Sequence, residues 1–346
     1  MKQPTVETSA ISASDAAVMF NLSISHWYSC CVYVAAKLGI ADELKTGGKT
    51  VAELAAITDS DPDALHRILR VLFSINIFKE ADDGTIELTS LARTLQEDAP
   101  DSMKGWILTA IGHRLPLWSQ LLHSVKTGQT AFKEVYGAPV WEYYTHNKQD
   151  GENFIRAMAN LTRPVIEKIV TVYDFSPYQT IVDVGGGNGT LLINILGAFP
   201  ESSGVVFDEP YVAKITSGKI EASAVKDRCT ATGGSFFETV PAGADLYILK
   251  NILHDWNDKD VARILQVCAR AMRPDSRLLV LETIIPAGNE VHYAKLNDVN
   301  MLLAQGGRER TGREYEVLAA QAGLQLVNIV DIGLEECSII EIIKKE

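Results

Sequence analysis

Short apolar runs alternate with amphipathic stretches through the second half of the chain. Runs rich in Val, Ile and Leu predict strands, and apolar residues three and four positions apart predict helices. The predicted strands cover residues 180–184, 204–207, 245–249, 277–283, 324–330 and 337–343. The predicted helices cover residues 190–198, 258–272 and 313–322. This alternation predicts an α/β domain with a mostly parallel sheet covered on both faces, whose ligands bind at the carboxyl ends of the strands.

The first hundred residues predict a separate unit. Apolar positions with helical spacing predict helices over 30–44, 51–56 and 62–74. Thr50 and Glu53 form a capping box before the second helix, and Ser60 or Asp61 caps the third. Two short strands, 78–80 and 85–88, follow across an Asp-Asp-Gly turn. Helix, turn, helix and hairpin form the winged-helix pattern.

Winged helices often bind DNA, and the charge of this one argues against that role. Residues 1–100 contain 8 Lys and Arg against 14 Asp and Glu, and the whole chain has a formal net charge of −12. Asp61 and Asp63 open the helix that would approach phosphates, where DNA-binding proteins cluster Lys and Arg. We therefore expect a dimerisation role and no nucleic-acid partner. A DNA-binding regulator stays the alternative from another class.

Residues 16–36 carry no charge, and an uncharged stretch of this length is long enough to cross a bilayer. Their Asn, His and Ser residues are too polar for a lipid-exposed span, so we expect no membrane insertion. We expect this stretch to be buried against a second copy, giving a homodimer in which one N-terminal domain closes the partner's pocket. Glu7 and Asp15 interrupt the region where an apolar secretory leader would lie.

The chain has 346 residues and five cysteines, with no C-x-x-C pair. This predicts free thiols in a reducing compartment, the cytoplasm, without disulfides or structural zinc. Residues 101–175 are helical and rich in aromatic side chains, which either form a core or line a pocket for a flat ligand. We expect three segments: a dimerisation domain at 1–100, a helical linker to the pocket at 101–175, and a catalytic domain at 176–346.

A glycine-rich loop follows the first strand of the α/β domain and opens a helix. Its sequence over residues 182–190 is Val-Asp-Val-Gly-Gly-Gly-Asn-Gly-Thr. Glycines at such a loop let the backbone approach a ligand closely. The dinucleotide fingerprint fails, because its third glycine would fall on Thr190, and no Walker Gly-Lys-Ser/Thr follows.

Two carboxylates near this loop indicate which ligand it holds. Asp183 precedes the loop, and Asp208 ends the next strand 25 residues later. A carboxylate at that second strand end accepts hydrogen bonds from vicinal ribose hydroxyls. The residue after Asp208 is the acidic Glu209, so no basic side chain stands beside it to bind a 2′-phosphate. Asp183 suits a ligand with an ammonium and a sulfonium charge rather than a pyrophosphate. The pair predicts S-adenosylmethionine as the cofactor.

Six ordered sequence blocks resemble the small-molecule O-methyltransferases of the caffeic-acid and antibiotic-tailoring type. The blocks are VDVGGGNGTLL, VVFDEP, GGSFF, LYILKNILHDWND, LLVLETIIP and GGRERTGREYEVLAAQAGL. With the winged-helix segment, the resemblance covers nearly all of the chain beyond about residue 15. It implies a Rossmann-like class I methyltransferase domain with an antiparallel last strand, behind an N-terminal dimerisation domain. It also implies in-line transfer of the S-adenosylmethionine methyl group to an aromatic hydroxyl, without a metal.

The resemblance implies that His254 of the LHDW block is the general base. Imidazole takes a phenol's proton at neutral pH as the oxygen attacks the methyl group. Glu282 and Glu309 match the carboxylates that flank this base in the family, where one of them would hold an imidazole N–H. Plain ion pairing of Glu309 with Arg308 or Arg310 is the alternative.

The resemblance also implies binding residues for the cofactor and the acceptor. Beside Asp183, the cofactor residues are Gly185, Gly187, Asp208 and Lys250. This chain departs from the family pattern at Ser235 and Phe236, where many relatives have Asp followed by Met or Phe, so we expect a weaker bond from Ser235 to the adenine amine. The acceptor-facing positions are Phe154, Met158, Leu161, Asn300, Met301 and Gln305. A relative that keeps the cofactor but decarboxylates, hydroxylates or cyclises its substrate is the alternative enzyme.

Overall fold

The computed structural model describes residues 14–345, except for the side chain of Ala159, and the chain divides into two compact units after His113. Residues 1–13, which include part of the region predicted to lack a secretory leader, lie outside the described residues. The helices between residues 115 and 172 belong to the second unit. The division into 1–100, 101–175 and 176–346 stays a prediction.

The first unit is helical with one small sheet. Its helices are α1 (Asp15–Ile24), α2 (His26–Lys37), α3 (Ile40–Glu43), α4 (Val51–Ile57), α5 (Pro62–Ser74), α6 (Ser90–Arg93) and α7 (Lys104–Ile107), and a π-helical turn (Leu108–His113) ends it. Its strands are β1 (Lys49–Thr50), β2 (Phe78–Glu80) and β3 (Thr85–Leu88), in the antiparallel order β1-β3-β2. Helices α4 and α5 with the β2–β3 hairpin form the predicted winged-helix pattern.

Local sequence signals determine where these helices begin and end. Thr50 and Glu53 form both halves of a capping box at α4, and the Asp61 side chain accepts a hydrogen bond from the Ala64 N–H at the start of α5. The continuous helix predicted over 30–44 was wrong. Gly39 adopts a left-handed conformation, with φ of 69°, and separates α2 from α3.

The second unit begins with five helices and continues as an α/β domain. Its helices are α8 (Leu115–Trp118), α9 (Leu121–Thr127), α10 (Ala131–Tyr136), α11 (Val140–His146), α12 (Lys148–Val172), α13 (Thr190–Ala198), α14 (Pro210–Glu221), α15 (Asp258–Ala271), α16 (Tyr293–Ala304) and α17 (Gly312–Gln321). Its strands are β4 (Thr180–Val184), β5 (Ser203–Asp208), β6 (Cys229–Gly233), β7 (Leu246–Lys250), β8 (Arg277–Glu282), β9 (Leu324–Leu334) and β10 (Cys337–Lys344). The sequence-based assignment matched β4 and α13 to the residue and did not find α14, β6 and α16.

The seven strands of this unit form one sheet in the order β6-β5-β4-β7-β8-β10-β9. The first five in that order are parallel, and β10 runs antiparallel to both β8 and β9. The chain moves outward from β4 through β5 to β6 and then crosses back to β7 on the other side of β4. The two opposite crossovers leave a crevice at the carboxyl ends of β4 and β7, where open α/β sheets bind ligands.

Strand residues alternate between two apolar cores, one on each face of the sheet. Val182, Val184 and Leu249 pack under α15 and α17, whereas Ile181 packs under α12 and α13. Asp183 lies between Val182 and Val184, so it shares the face of Ile181. This position explains why a carboxylate is almost completely buried within a strand.

Helices α1 and α2 present large apolar side chains on the surface of the described chain. The exposed residues are Val18, Met19, Phe20, Leu22, Trp27 and Tyr28. None of the helices in the described part of the chain is long and apolar enough to cross a membrane.

Candidate active site

Side chains from four strand ends meet at the crevice beside β4 and β7. The glycine loop follows β4, Asp208 ends β5, a 3₁₀ turn (Leu253–Asp255) follows β7, and Glu282 ends β8. Parallel strands align their carboxyl ends at one edge of a sheet, so these residues converge although up to 97 positions, from Gly185 to Glu282, separate them in the sequence.

The glycines of the loop serve different purposes. Gly185 and Gly187 both have positive φ, 71° and 55°. A Cβ on Gly185 would collide with Ile252, and one on Gly186 would collide with the Asp183 carboxylate, so packing against the protein requires those two glycines. A Cβ on Gly187 would meet nothing within 4 Å. Gly187 is therefore the position where the loop presents bare backbone to open space.

Asp208 faces that open position. Its Oδ2 accepts a hydrogen bond from the Gly187 N–H at 2.8 Å, and its Oδ1 accepts one from the Glu209 N–H at 2.7 Å. Burial raises the pKa of Asp208 although both backbone donors act in the opposite direction. The carboxylate is thus held at the loop with acceptor capacity remaining on both oxygens.

Asp183 and Lys250 form a second, deeper pair of charges. Burial raises the pKa of Asp183 to about 7 against the attraction of Lys250, and its Oδ2 has no hydrogen-bond partner among the described residues. Burial also lowers the pKa of Lys250, whose ammonium donates to Thr162 Oγ1 of α12 at 3.2 Å. The unpartnered carboxylate oxygen beneath the loop suits a cationic ligand.

Ser235 and Phe236 lie in the turn after β6. The Ser235 hydroxyl oxygen accepts a hydrogen bond from the Phe237 N–H at 3.4 Å, so its bond to an adenine stays a prediction. Phe236 contacts Trp256 edge to face with ring centroids 6.1 Å apart, and a Cβ on Gly185 would lie 3.7 Å from its ring. Phe236 therefore packs against one side of the glycine loop.

His254 lies in the turn after β7 with its ring held by Glu309. The two side chains are 55 residues apart in sequence, and His254 Nδ1 lies 2.9 Å from Glu309 Oε1. A carboxylate accepts, so Nδ1 is the nitrogen that carries the proton and Nε2 keeps its lone pair in the neutral ring. Glu309 Oε1 also accepts a 2.6 Å hydrogen bond from Asn297 Nδ2, which prevents the carboxylate from rotating away.

Glu282 holds the backbone of the same turn. Its Oε1 accepts hydrogen bonds from the N–H groups of Ile252 at 2.9 Å, Leu253 at 2.8 Å and His254 at 3.4 Å. Its Oε2 lies 3.5 Å from His254 Nδ1. The two carboxylates predicted to flank the histidine therefore act differently: Glu309 orients the ring, and Glu282 anchors the peptide that carries it.

This concentration of acids alters the proton affinity of the site. Burial disfavours the charged imidazolium and by itself would lower the pKa of His254. The nearby carboxylates, of which Glu282 has the largest effect, outweigh burial and raise this pKa to about 10. Burial raises the pKa of Glu282 to about 7 against the pull of the His254 cation. One ligand atom from each of His254, Glu282 and Glu309 lies within 4.8 Å of the others, which is close enough to bind a cation, and the absence of a metal stays a prediction.

The arginines beside Glu309 pair with other residues, which contradicts the ion-pair alternative. Arg310 is fully buried, lies 2.8 Å from Asp258, and donates to the carbonyls of Leu253 and Trp256. Arg308 lies 2.8 Å from Glu314. Arg310 thus clamps the turn that carries the histidine, a role that the sequence did not reveal.

The residues predicted to face the acceptor lie on two helices of this unit. Phe154, Met158 and Leu161 are spaced along one side of α12, and Phe154 stacks on Tyr144 with ring centroids 4.9 Å apart. The remaining three lie in or at the end of α16: Asn300, Met301 and, at the C-cap, Gln305. Met301 is buried, and Asn300 lies within hydrogen-bond distance of Asn297 and Arg114. Their contact with an acceptor stays a prediction.

The sequence did not predict several residues that position the histidine. Asn297 and Asp298 position Glu309 through its carboxylate and its N–H, the latter at 2.9 Å. Gly307 is required because a Cβ there would collide with the His254 carbonyl. Asn251 takes a left-handed conformation, with φ of 53°, just before the histidine turn. The one local signal was the group of polar residues Asn297, Asp298 and Asn300 within α16.

Comparison with known proteins identifies the family of the chain. A family model described as the O-methyltransferase domain matches residues 118–325, and one described as the O-methyltransferase dimerisation domain matches residues 20–98. The chain is 38% identical to the phenazine O-methyltransferase of Lysobacter antibioticus, over 90% of this chain and 92% of that protein. It is 37% identical to the 3-amino-4-hydroxybenzoate 4-O-methyltransferase of Streptomyces cremeus, over 92% of this chain and 87% of that protein. It is also 33% identical to the aclacinomycin 10-hydroxylase of Streptomyces purpurascens, over 85% and 80%.

Solved structures resemble the chain over almost its full length. The crystal structure of LaPhzM superposes with a TM-score of 0.91 at 36% identity, covering 96% of this chain and all of that one. An O-methyltransferase of neocarzinostatin biosynthesis, solved with S-adenosylmethionine and 2-hydroxy-5-methyl naphthoic acid, superposes with a TM-score of 0.80 at 33% identity, covering 92% and 96%.

Proposed function

Because the chain belongs to the S-adenosylmethionine-dependent O-methyltransferases, we propose that it methylates a phenolic hydroxyl of an aromatic small molecule with His254 as the general base. The observation that carries this proposal is the imidazole itself, whose ring is held by the buried Glu309 and whose backbone turn is held by the buried Glu282, at the carboxyl edge of β7.

The residues at the loop fit the cofactor. Gly187 offers bare backbone, Asp208 offers carboxylate oxygens for ribose hydroxyls, and Asp183 beneath the loop has an unpartnered oxygen. When bound, S-adenosylmethionine supplies an electrophilic methyl group on a sulfonium. We assign Gly185, Gly187, Asp208, Asp183 and Lys250 to its binding, with Ser235 and Phe236 at the adenine.

The chain's own contribution is to hold a proton acceptor and to orient the acceptor hydroxyl. Glu309 keeps the Nδ1 proton of His254 in place, so in the neutral form of the ring the lone pair of Nε2 takes the phenol's proton as the oxygen attacks in line. Glu309 also stabilises the imidazolium that forms. Phe154, Met158, Leu161, Asn300, Met301 and Gln305 are the side chains that we assign to the aromatic acceptor. Alignment and proton removal together lower the barrier.

We also assign a homodimer to the chain, because residues 20–98 form a dimerisation domain and α1 and α2 expose an apolar surface. All five cysteines are free thiols, which supports a reducing, cytoplasmic location.

The product distinguishes this function from its alternative. One relative is named a hydroxylase, so a cofactor-retaining hydroxylation is the second candidate. We expect incubation with S-adenosylmethionine labelled in its methyl group and a panel of hydroxylated benzoids, naphthalenes and phenazines to give a labelled methyl ether and one equivalent of S-adenosylhomocysteine. An unlabelled product that has gained oxygen, or lost carbon dioxide, would support the alternative chemistry.

A further inference from the structure

Arg114 lies buried at the start of α8, with only 2% of its surface exposed. Its Nη1 lies 3.5 Å from Asn300 Oδ1, at the limit of a hydrogen bond, and its charge opposes the burial that raises the pKa of Tyr144. Its carbon Cζ lies 5.2 Å from the centre of the Phe154 ring. The Nε and Nη2 atoms are both buried and have no hydrogen-bond partner among the described residues.

Those two nitrogens form one edge of the guanidinium, the edge that binds both oxygens of a carboxylate in bidentate pairs. Burying a cation without an anionic partner is unfavourable, because the charge loses its hydration. The guanidinium opposes the burial that raises the pKa of Asp255, but its Nε and Nη2 make no hydrogen bond to that carboxylate or to any other described group. The Nε–Nη2 edge is therefore a buried pair of donors that no described group of the chain accepts from.

Arg310 provides the contrast within the same unit. It is as deeply buried, yet it binds the Asp258 carboxylate and donates to two backbone carbonyls. A structural arginine in this protein therefore has its donors satisfied by the chain itself. Arg114 does not follow that pattern.

The position of Arg114 ties it to the acceptor side of the site. Phe154 of α12 and Asn300 of α16, two residues assigned to acceptor binding, are its neighbours. From Asn300 a series of hydrogen bonds leads through Asn297, at 3.1 Å, and Glu309, at 2.6 Å, to the His254 ring. An anion bound at Arg114 would sit at one end of this network, with the base at the other.

We infer that Arg114 binds a carboxylate substituent of the acceptor, so that the enzyme acts on aromatic hydroxy acids. The free Nε–Nη2 edge takes the two carboxylate oxygens, and the Phe154 ring supports the plane of the guanidinium. This inference rests on the proposed function and adds the substrate class to it.

Binding without turnover tests the inference. The probes are benzoate, naphthoate and phenazine carboxylate rings that carry a hydroxyl, each paired with its primary carboxamide, titrated by calorimetry into protein loaded with S-adenosylhomocysteine. We expect at least one acid to bind 10-fold or more tightly than its amide, the discrimination of one charge-assisted bidentate pair. If no ring size shows a preference for the acid, the inference is wrong.

Variants test whether the Arg114 side chain causes the preference for the acid over its amide. Arg114→Gln should abolish the discrimination between acid and amide, Arg114→Lys should retain part of it, and Arg313→Gln, a change at an exposed arginine, should leave it intact. The wild-type comparison of acid with amide needs no variant, so it tests the predicted preference for a carboxylate even if Arg114→Gln fails to fold. A discrimination that survives in folded Arg114→Gln would overturn the inference.

Methyl transfer separates this inference from the proposed function. If the enzyme methylates acids and amides with equal kcat/KM, the proposed function holds and the role of Arg114 fails. If Arg114→Gln slows both substrates equally, the guanidinium acts on the phenol oxygen and the inference is again wrong. An acid preference in binding without any methylation would refute the proposed function alone.

Discussion

His254 is the side chain on which the proposed chemistry depends, and replacing it tests that role. We expect His254→Gln to reduce methyl transfer by about 10²–10⁴-fold, the usual contribution of a general base, at the pH where wild-type turnover is highest, because the amide cannot accept the phenol's proton. The fold and the affinity for S-adenosylmethionine should be retained, as measured by circular dichroism and calorimetry. His146→Gln, at an exposed histidine of α11, is the matched control. Wild-type turnover in His254→Gln would leave alignment alone as the source of catalysis.

The carboxylates around His254 predict the pH dependence of the reaction. They raise the pKa of His254 to about 10, and only the neutral ring can take a proton, so kcat/KM should increase with pH from about 7 towards 10. Glu309→Gln removes one of the charges that raise this pKa, so it should move the rising limb to lower pH while lowering the rate. The pH profile is measured with two phenols of different acidity. If the pH at which kcat/KM rises changes with the pKa of the phenol, the rise does not report the ionisation of His254 and the assignment is wrong.

Asp208 is the residue whose loss should weaken cofactor binding most directly. Asp208→Ala removes two acceptor atoms intended for the ribose and should weaken S-adenosylmethionine binding by about 2–4 kcal/mol. It also removes the 2.8 Å bond to the Gly187 N–H, so the loop itself loses support. Calorimetry against Asp227→Ala, an exposed aspartate of the same unit, measures the effect. An unchanged dissociation constant would mean that the ribose lies elsewhere.

At the scale of elements, the turn after β7 depends on Arg310 for its stability. Arg310→Met would leave the buried carbonyl of Leu253 without its donor and would also remove the bonds to Trp256 and Asp258. We expect the free energy of unfolding to fall by about 2–4 kcal/mol. Arg313→Met, which removes only an exposed ion pair with Glu316, should change it by less than about 0.5 kcal/mol. Urea unfolding at one fixed protomer concentration compares them, and equal losses would refute the clamp.

At the scale of the whole molecule, the exposed apolar surface of α1 and α2 predicts a homodimer. Analytical ultracentrifugation at micromolar concentration should give twice the chain mass of 37.9 kDa. Phe20→Glu should shift the protein towards monomer, because a charge would be buried in the interface. Val125→Glu changes an equally exposed apolar residue of α9, outside that surface, and should leave the dimer intact. A wild-type monomer would contradict the prediction.

Local patterns determined most of the elements of this protein. Hydrophobic periodicity, capping residues and glycines act over a few positions, so β4, α13, α5 and the β2–β3 hairpin were predicted to the residue. The pattern failed where it is weak. Strand β6, with the sequence Cys-Thr-Ala-Thr-Gly, is a half-exposed edge strand without a continuous apolar run, and α14 and α16 show little amphipathic contrast.

The sequence by itself also predicted which residues would carry the proposed chemistry, because the glycine loop and the LHDW block are contiguous. Only the tertiary structure decided how the charges pair. His254 and Glu309 are 55 residues apart, and Arg310, next to Glu309 in sequence, binds Asp258 instead. The unpaired edge of Arg114 is likewise invisible in the sequence. The physical reason is that a buried charge is satisfied by whichever partner packing brings within about 3 Å, and packing joins strand ends that are remote along the chain.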